Sequence, residues 1–226
     1  MLSIKSGVVV GWRLRRVKRG SMNKIITVSR EFGSGGRELA QQMAERLGFQ
    51  YYDKEIIAEM VKQSKFDGAY IENVANAASK DFPYAVSKSM AFYSAHQKQT
   101  TEILVLEKKI IQQLAAKGDC VFVGRSADII LSEYNPLNIF VYADTETKIK
   151  RCQIKTTQNQ HLSDKEILKG MKEIDKARKN HYFLLGVDNW GDKENYHLCV
   201  NTSGMKIKDL VPMVTAYAKT YFKAGQ

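Results

Sequence analysis

Short, mostly apolar runs alternate with segments of helical periodicity along the chain. Runs of this kind predict five β-strands, at 25–28, 49–52, 120–124, 138–142 and 196–200. Between them, apolar residues three and four positions apart predict helices, as from Leu39 to Leu47 and from Ile103 to Leu114. Strands with so few polar positions are buried on both faces. The pattern therefore predicts an α/β fold in which helices cover both sides of a parallel sheet.

Residues with known roles at helix ends support these boundaries. Gly48 and Gly118 follow helical stretches and are typical of helix C-terminal stops. Ser163 and Glu166 have the spacing of a capping box, which predicts a helix that begins there. A further helix is predicted from about Ile207 to the end of the chain.

Length and composition indicate one compact domain with an inserted subdomain. The chain has 226 residues, of which 44% are hydrophobic and 26% charged, which excludes a collagen-like or disordered protein. Residues 54–100 are polar and helical in pattern and show no strand signal, so they are the predicted insertion. No apolar run approaches 18 residues, so the sequence predicts no membrane-spanning helix.

The net charge of +11 is concentrated at the start of the chain. Residues 1–21 hold six basic and no acidic side chains, so the other 205 residues carry only +5. The arginine-rich cluster at 13–19 follows the apolar stretch at 7–12 instead of preceding it, which is the wrong order for a signal peptide. We expect residues 1–21 to be an extension that arises from an early start assignment, with Met22 as the initiator. The alternative is a basic arm that contacts nucleic acid or anionic lipid.

The three cysteines predict neither a metal site nor a disulfide framework. Cys120 and Cys199 lie in apolar runs, and no pair with Cys152 has metal-ligand spacing. We interpret them as small core residues, and free thiols without an export signal predict a cytoplasmic protein. The four histidines likewise show no metal-ligand spacing and are predicted to be surface or structural residues.

A glycine-rich segment between the first predicted strand and helix is the main candidate for a site. Glycine permits the backbone angles that let N–H groups surround an anion, and a helix N-terminus adds partial positive charge. A tight connection without a ligand would also use glycine, but flanking arginines favour phosphate binding. The predicted phosphate-binding residues are Arg30, Gly33, Ser34, Gly35, Gly36 and Arg37.

This segment departs from the G-x-x-x-x-G-K-[ST] pattern of a P-loop. Arg30 stands where the first glycine would be, and Gly36 stands where the lysine would be. Arg37 could supply the missing charge, because a guanidinium bridges phosphate oxygens well. In the alternative interpretation Arg37 is a solvated residue that pairs with Glu38 or Glu45.

Four segments in order carry a family resemblance. They are Val-Ser-Arg-Glu-Phe-Gly-Ser-Gly-Gly-Arg at 28–37, Tyr-Tyr-Asp-Lys-Glu at 51–55, Val-Gly-Arg-Ser-Ala-Asp at 123–128, and residues 196–203. Together they resemble the cytidylate kinase-like family, a branch of the P-loop nucleoside monophosphate kinases. The resemblance implies a kinase-like domain over 22–226 with the three-layer fold of P-loop NTPases and a parallel five-stranded sheet. It also implies a helical NMP-binding insertion at 54–100 and a lid at 151–183.

The resemblance implies three acceptor-binding residues. In cytidylate kinases an Asp-Gly-Arg-Asp segment follows the third strand and its Arg holds the acceptor nucleotide, a role that falls here to Arg125. Val123 replaces the first Asp, and Asp128 is the nearest substitute for that carboxylate. Arg125 could instead form a structural ion pair, for example with Asp128. Asp53 is expected to orient the acceptor, or else to cap the helix that begins at Lys54.

Arginines of the lid are the remaining implied catalytic residues. Arg151 and Arg178 occupy positions where the family clamps the transferring phosphoryl group, and with Arg37 they form the predicted catalytic set. Asp175 and Arg178 match the Asp-x-x-Arg pattern of the second lid helix, but they could also be a surface ion pair of small worth. Lys155 and Lys179 are either lid contacts or a solvated basic face. His181, although predicted with the other histidines to be a surface or structural residue, lies close enough to the predicted lid to touch a nucleotide.

The resemblance implies transfer of the γ-phosphoryl group of ATP, with Mg²⁺, to a small acceptor such as CMP. Mg²⁺ is expected to be held mainly by phosphates and water, so no protein metal site is predicted. Glu59 stands where cytidylate kinases have an Arg and would repel an acceptor phosphate. A kinase for a non-nucleotide acceptor and a nucleotide-binding module without transfer therefore stay open. No nucleic acid polymer or membrane is an expected partner, and the sequence does not predict the oligomeric state.

Overall fold

A computed structural model of the chain describes residues 23–68, 71, 90–155 and 162–224. Within these ranges it contains five β-strands. They are β1 (Ile25–Arg30), β2 (Gln50–Tyr52), β3 (Cys120–Val123), β4 (Leu137–Tyr142) and β5 (Leu198–Asn201). Residues 1–21, for which we predicted an extension, lie outside the described part of the chain.

Seven α-helices connect and follow these strands in the described residues. They are α1 (Gly36–Leu47), α2 (Lys54–Gln63), α3 (Met90–Ala115), α4 (Ala127–Ile130), α5 (Thr145–Lys155), α6 (Asp164–Leu184) and α7 (Ile207–Ala224). Two short 3₁₀ helices lie at Ser132–Tyr134 and Lys193–Asn195.

The strands form one parallel sheet in the order β2-β3-β1-β4-β5. β1 lies at its centre, with Val28 opposite Val123 of β3 on one side and Ile139 of β4 on the other. The strand order reverses beside β1, so the connections on its two sides run in opposite directions and leave a crevice at its carboxyl end. In open α/β sheets this is where ligands bind.

Alternate residues of each strand point into two separate apolar layers. Ile25 and Phe122 pack with α2 and α3 in one layer. Ile26 and Val121 pack with α1 and α7 in the other. Burial on both faces is the reason that the strands read as nearly continuous apolar runs. The predicted three-layer α/β fold with a five-stranded parallel sheet is confirmed.

Several local boundaries differ little from the predictions. Gly48 caps α1 with a φ of 71°, a left-handed conformation that suits glycine. Ser163 and Glu166 form the expected capping box at the start of α6. The one shift that affects the site is at β1, which continues two residues beyond the predicted end and so makes Arg30 its last residue.

Two proposed subdomains fall partly within the described residues. Of the predicted insertion at 54–100, the structure describes α2, a short segment after it and the start of α3; of the predicted lid at 151–183, it describes the end of α5 and most of α6. Among the described residues, no helix is both long enough and apolar enough to span a membrane.

Candidate functional site

The glycine loop (residues 31–35) turns the chain from β1 into α1. Gly33 and Gly35 have φ values of 78° and 81°, which L side chains rarely adopt. Ser34 is fully buried, and its Oγ donates to the carbonyl of Glu31 at 2.8 Å. The loop delivers its backbone to the N-terminus of a 12-residue helix, where N–H groups and the helix dipole favour an anion.

Arg30 extends from the end of β1 across the loop towards β3. Its side chain occupies space that a Cβ at Gly36 or Gly124 would fill, so both glycines are required for its position. Burial, and then the neighbouring Arg178 guanidinium, lower the pKa of Arg30 to about 9. In the described part of the chain, no carboxylate lies within ion-pair distance of it.

Arg37 and Asp53 form an ion pair at the rim of the loop. Arg37 Nε lies 2.5 Å from Asp53 Oδ2, and the Arg37 side chain is 57% exposed. The alternative interpretation paired Arg37 with Glu38 or Glu45, and the structure pairs it with Asp53 instead. Asp53 immediately precedes α2, but its side chain makes no capping hydrogen bond to that helix. Both predicted residues thus face the same region of the site.

Arg125 lies in a turn of three residues (Gly124–Ser126, the β3 turn) in which every φ is positive. The φ values are 70°, 58° and 48° for Gly124, Arg125 and Ser126. Such angles are ordinary for glycine and unfavourable for the other two. The buried ion-pair partner of Arg125 is Glu107, with 3.7 Å between Nη1 and Oε1. The suggested pairing with Asp128 was wrong.

Asp128 is buried and is not among the residues that line the two cavities described below. Both of its carboxylate oxygens lie 2.7–2.8 Å from the hydroxyl of Tyr182, which donates to them. That hydroxyl is in turn 2.8 Å from Ser29 Oγ. Burial raises the pKa of Asp128 above its ordinary value. Tyr182 lines the smaller cavity, whereas Asp128 does not, and the role of Asp128 towards the acceptor stays a prediction.

Arg151 donates hydrogen bonds to carbonyl and hydroxyl oxygens in and beside the glycine loop. Its Nη1 donates to Ser34 O and Thr202 Oγ1 at 2.8 Å each. Its Nη2 donates to the carbonyls of Thr202 and Met205 at 2.9 and 2.8 Å. In this arrangement Arg151 joins the loop after β5 to the glycine loop. These bonds use Nη1 and Nη2 and not Nε, and Arg151 lines the larger cavity described below, so its role as a phosphoryl clamp stays a prediction.

Arg178 and Asp175 attach α6 to the glycine loop. Arg178 Nη1 donates to Arg30 O and to Asp175 Oδ1, both at 2.8 Å, and the backbone N–H of Phe32 donates to that same carboxylate oxygen at 2.8 Å. Both side chains are about one-fifth exposed. Burial lowers the pKa of Arg178 and raises that of Asp175. The pair is therefore a contact between helix and loop, and the alternative of a solvated surface pair was wrong.

Two cavities meet at these residues. The smaller, of about 380 Å³, lies between the carboxyl ends of β1 and β3 and helices α2 and α6. The larger, of about 950 Å³, lies between the glycine loop, α5, α6 and the residues after β5. Arg30, Arg37 and Arg178 line both.

The smaller cavity is strongly cationic. One carboxylate, from Asp53, faces five cationic side chains, which are Arg30, Arg37, Lys54, Arg125 and Arg178. Arg37, Arg125 and Arg178 have ion-pair partners in Asp53, Glu107 and Asp175. Arg30 and Lys54 have no such partner among the described residues, so the cavity keeps an excess of positive charge that favours an anion. The larger cavity has a mixed wall, with apolar side chains from Ile154, Leu162, Ile167, Met171 and Ile207 beside the loop backbone.

Two side chains near the smaller cavity, Glu107 and Trp190, were not predicted from the sequence, and the role of His181 was left open. Glu107 is 1% exposed, yet it lies in the apolar stripe between Ile103 and Ile110, where a lone acidic residue was the available signal. His181, interpreted as surface or structural, is 4% exposed and lines the cavity. Trp190 also lines it, and an isolated tryptophan in a polar loop was its only signal.

The described residues offer few ligands to a Mg²⁺ ion that would enter with a nucleotide. The P-loop position that usually offers a hydroxyl to the metal is held here by Arg37. Asp53 is the carboxylate on the wall of the smaller cavity. In the described ranges, no three Asp, Glu, His or Cys side chains are grouped to hold a metal. Phosphate oxygens and water would therefore supply most of its ligands.

Comparisons with known proteins agree with the fold. The most similar solved structures include an uncharacterized protein from Eubacterium ventriosum, with 26% identity and a TM-score of 0.63 over 87% of this chain and 98% of that one. They also include shikimate kinase from Bacteroides thetaiotaomicron, with 11% identity and a TM-score of 0.53 over 87% and 98%. A search of curated proteins found no match.

A sequence model of one family covers residues 25–204, described as the cytidylate kinase-like family. That range runs from β1 through β5 and includes the glycine loop, the β3 turn and α6. Because the match spans most of the chain, the chain belongs to the cytidylate kinase-like family.

Proposed function

We propose that this protein transfers the γ-phosphoryl group of ATP to a small anionic acceptor, with a nucleoside monophosphate such as CMP as the first candidate. The observation that supports this most directly is the pair of cavities that share Arg30, Arg37 and Arg178 at the glycine loop. Phosphoryl transfer needs two substrates held in line with cations around the moving group, and little covalent help from the protein.

The larger cavity is the proposed ATP site. It combines the loop backbone at the N-terminus of α1 with apolar side chains on the opposite wall. The first suits the β- and γ-phosphates, and the second suits the base and ribose. Arg151 would support this site indirectly by holding the glycine loop against the residues after β5.

The smaller cavity is the proposed acceptor site. Arg125 would bind the acceptor's anionic group, and Asp53 would orient a hydroxyl or a base while it remains paired with Arg37. Arg178 and Arg37 stand where the two cavities meet and would neutralise charge on the transferring group. Mg²⁺, when bound with ATP, would supply further charge neutralisation at the phosphates.

Glu59 does not oppose this assignment. It accepts a hydrogen bond from Gln63 at 2.7 Å and lies 3.6 Å from Lys62, and that hydrogen bond lowers its pKa. It is not among the residues that line either cavity, so it would not repel an acceptor phosphate there. The volume of the smaller cavity, near the lower end for ligand pockets, also fits a second candidate function, a kinase for a smaller non-nucleotide anion.

The test is an ADP-release assay with Mg-ATP and a panel of acceptors. The panel contains the ribo- and deoxyribonucleoside monophosphates together with hydroxy acids and sugar acids that lack phosphate. Turnover with one or more monophosphates is the expected result, and turnover with only the non-phosphorylated acids would select the second candidate. ATP binding by calorimetry with no ADP formed under any condition would reject transfer.

Two arginine variants and one control test the assignment of residues. Arg125→Ala should raise the KM of the acceptor more than that of ATP. Arg37→Ala should lower kcat by about 100-fold or more if its charge stabilises the transferring group. Arg46→Ala removes an exposed guanidinium from the last turn of the same helix, α1, and should leave both constants near the wild-type values.

A further inference from the structure

The β3 turn needs support from outside itself. Arg125 and Ser126 are two successive non-glycine residues with positive φ, a conformation that persists only where surrounding contacts impose it. The local hydrogen bonds run from Ala127 N to Gly124 O and from the amides of Ile129 and Ile130 to Ser126 O. These bonds start α4, but they do not determine where the Arg125 side chain points.

Glu107 supplies contacts to this turn from α3, a distant part of the chain. Its carboxylate is 1% exposed on an otherwise apolar helix face, where it is unfavourable unless it is paired. Oε2 lies 2.9 Å from His181 Nε2, and Oε1 lies 3.7 Å from Arg125 Nη1. A carboxylate accepts and cannot donate, so His181 Nε2 donates to it.

His181 links Glu107 to Ser126, the second residue of the turn with an unfavourable φ. Its ring is 4% exposed, and Nδ1 lies 2.7 Å from Ser126 Oγ. Glu107 therefore holds both non-glycine residues of the turn, Arg125 by charge and Ser126 through the imidazole. The separation of 3.7 Å is too long for a hydrogen bond, and both atoms are buried without another hydrogen-bond partner among the described residues, so Glu107 holds Arg125 by charge alone.

We infer that Glu107 and His181 are positioning residues that hold the strained β3 turn and aim Arg125 into the smaller cavity. The importance of this for catalysis rests on the proposed function, in which that cavity takes the acceptor. His181 lies on α6, whose Asp175 and Arg178 bind the glycine loop. The same helix thus joins the acceptor-side turn to the ATP-side loop, and loss of Glu107 disturbs the acceptor side alone.

Two substitutions at Glu107 separate its two contacts. Glu107→Gln keeps an oxygen that accepts from His181 Nε2 but removes the charge that attracts Arg125. Glu107→Ala removes both. The expected result is a rise in the KM of CMP of several-fold for Gln and more than tenfold for Ala, with the KM of ATP changed less than twofold in both.

Ile110→Ala is the matched control. Ile110 is fully buried on the same face of α3, and it packs in the apolar layer with α2. This variant should lose stability and leave the KM of CMP unchanged. Equal increases in both KM values for the Glu107 variants, or the same CMP effect in Ile110→Ala, would overturn the inference.

A second measurement works without any acceptor. Amide hydrogen exchange in the full-length, ligand-free protein reports the turn through the amides of Ala127, Ile129 and Ile130. These should exchange at least tenfold faster in Glu107→Ala than in Ile110→Ala, with Glu107→Gln between the Ala variant and the wild type. Unchanged exchange in both Glu107 variants would overturn the positioning role. Absence of turnover with CMP in the wild type would instead reject the proposed acceptor, and the exchange data would still decide the inference.

Discussion

Arg30 is a cation in a place that disfavours positive charge. Burial and the nearby Arg178 lower its pKa to about 9, and among the described residues no carboxylate pairs with it. A base whose folded pKa lies below its unfolded value destabilises the fold at every pH below the folded pKa. The penalty decreases only as pH rises through about 9 towards the ordinary value of arginine. A bound anion would remove the same penalty at neutral pH.

Replacing Arg30 should therefore stabilise the ligand-free protein. For Arg30→Met we expect the free energy of unfolding to rise by about 1–4 kcal/mol, because a partly buried charge with no ion-pair partner among the described residues is exchanged for a flexible apolar chain. Urea denaturation should give the same gain at pH 6 and pH 8, since the guanidinium is charged throughout that range. The stabilisation that pyrophosphate gives the wild type should decrease. A loss of stability, or a gain that changes between pH 6 and pH 8, would contradict this account.

Position 124 needs glycine for two reasons: the Arg30 side chain occupies the space of a Cβ, and the backbone φ is positive. Gly124 and Gly48 have φ values of 70° and 71°, so an alanine at either position incurs a similar left-handed strain of about 1–2 kcal/mol. A Cβ at Gly124 would also overlap the Arg30 guanidinium, whereas a Cβ at Gly48 has nothing within 4 Å. Gly124→Ala should thus cost at least about 1 kcal/mol more than Gly48→Ala by urea denaturation. Equal costs would show that the guanidinium moves freely.

At the scale of elements, α6 is the helix that organises the site. Four of its side chains, three or four positions apart, share one face of the helix. Asp175 and Arg178 contact the glycine loop and the end of β1. His181 contacts Glu107 and Ser126, and Tyr182 contacts Asp128 and Ser29. One face of a single helix therefore touches the segments after β1 and after β3. Its N-terminus is fixed by the capping box at Ser163.

The contact between α6 and the glycine loop can be tested at Asp175. Asp175→Ala leaves the N–H of Phe32 and one Arg178 donor without their acceptor, which should cost about 1–3 kcal/mol of stability. Amide exchange at Phe32 should accelerate, and the KM of ATP should rise. Asp188→Ala is the control, because its pair with Lys179 is exposed and worth less than about 1 kcal/mol. Similar effects of the two variants would reject a specific role for the contact.

At the scale of the whole molecule, one cavity lies on each side of three arginines that line both. The acceptor and ATP would approach Arg30, Arg37 and Arg178 from different directions. A single compound that fills both cavities gains from linkage, since the second group binds at a high effective concentration.

A linked nucleotide inhibitor tests this arrangement. Adenosine joined to cytidine through five phosphates should bind at least tenfold more tightly than ATP by calorimetry, whereas the same nucleosides joined through two phosphates should show no such gain. We expect the longer bridge to reach from one cavity to the other and the shorter one to be too short. Equal affinity for the two compounds would indicate that the cavities do not bind the two substrates at once.

Local signals predicted most of the fold because they depend on neighbours in sequence. Gly48, the box at Ser163 and Glu166, and the apolar stripes are each readable within a few residues, and all are present in the structure. The predicted end of β1 was two residues short because Ser29 and Arg30 are polar. Their side chains face the site instead of the apolar layers, so hydropathy gave no sign that the strand continues.

Site residues were less predictable where their role depends on a distant partner. Arg151 binds Ser34, 117 positions away, and Glu107 binds His181, 74 positions away. A guanidinium or a carboxylate can pair with many different groups, and the sequence does not show which of them it will meet. The family resemblance assigned Arg151 to the phosphoryl group, and only tertiary packing showed the backbone carbonyls that accept from its Nη1 and Nη2.

The sequence by itself determined the parallel sheet, the helices on both faces, the glycine loop after the first strand and the cytidylate kinase-like family. These follow from periodicity, from glycines with special backbone angles and from ordered motifs, all of which are local. Only the tertiary structure decided which charges meet. It placed Arg37 against Asp53, buried Glu107 between Arg125 and His181, and set Arg30 without a described carboxylate partner at the junction of two cavities. Electrostatic pairing acts over a few ångströms of space, and the fold alone sets those distances.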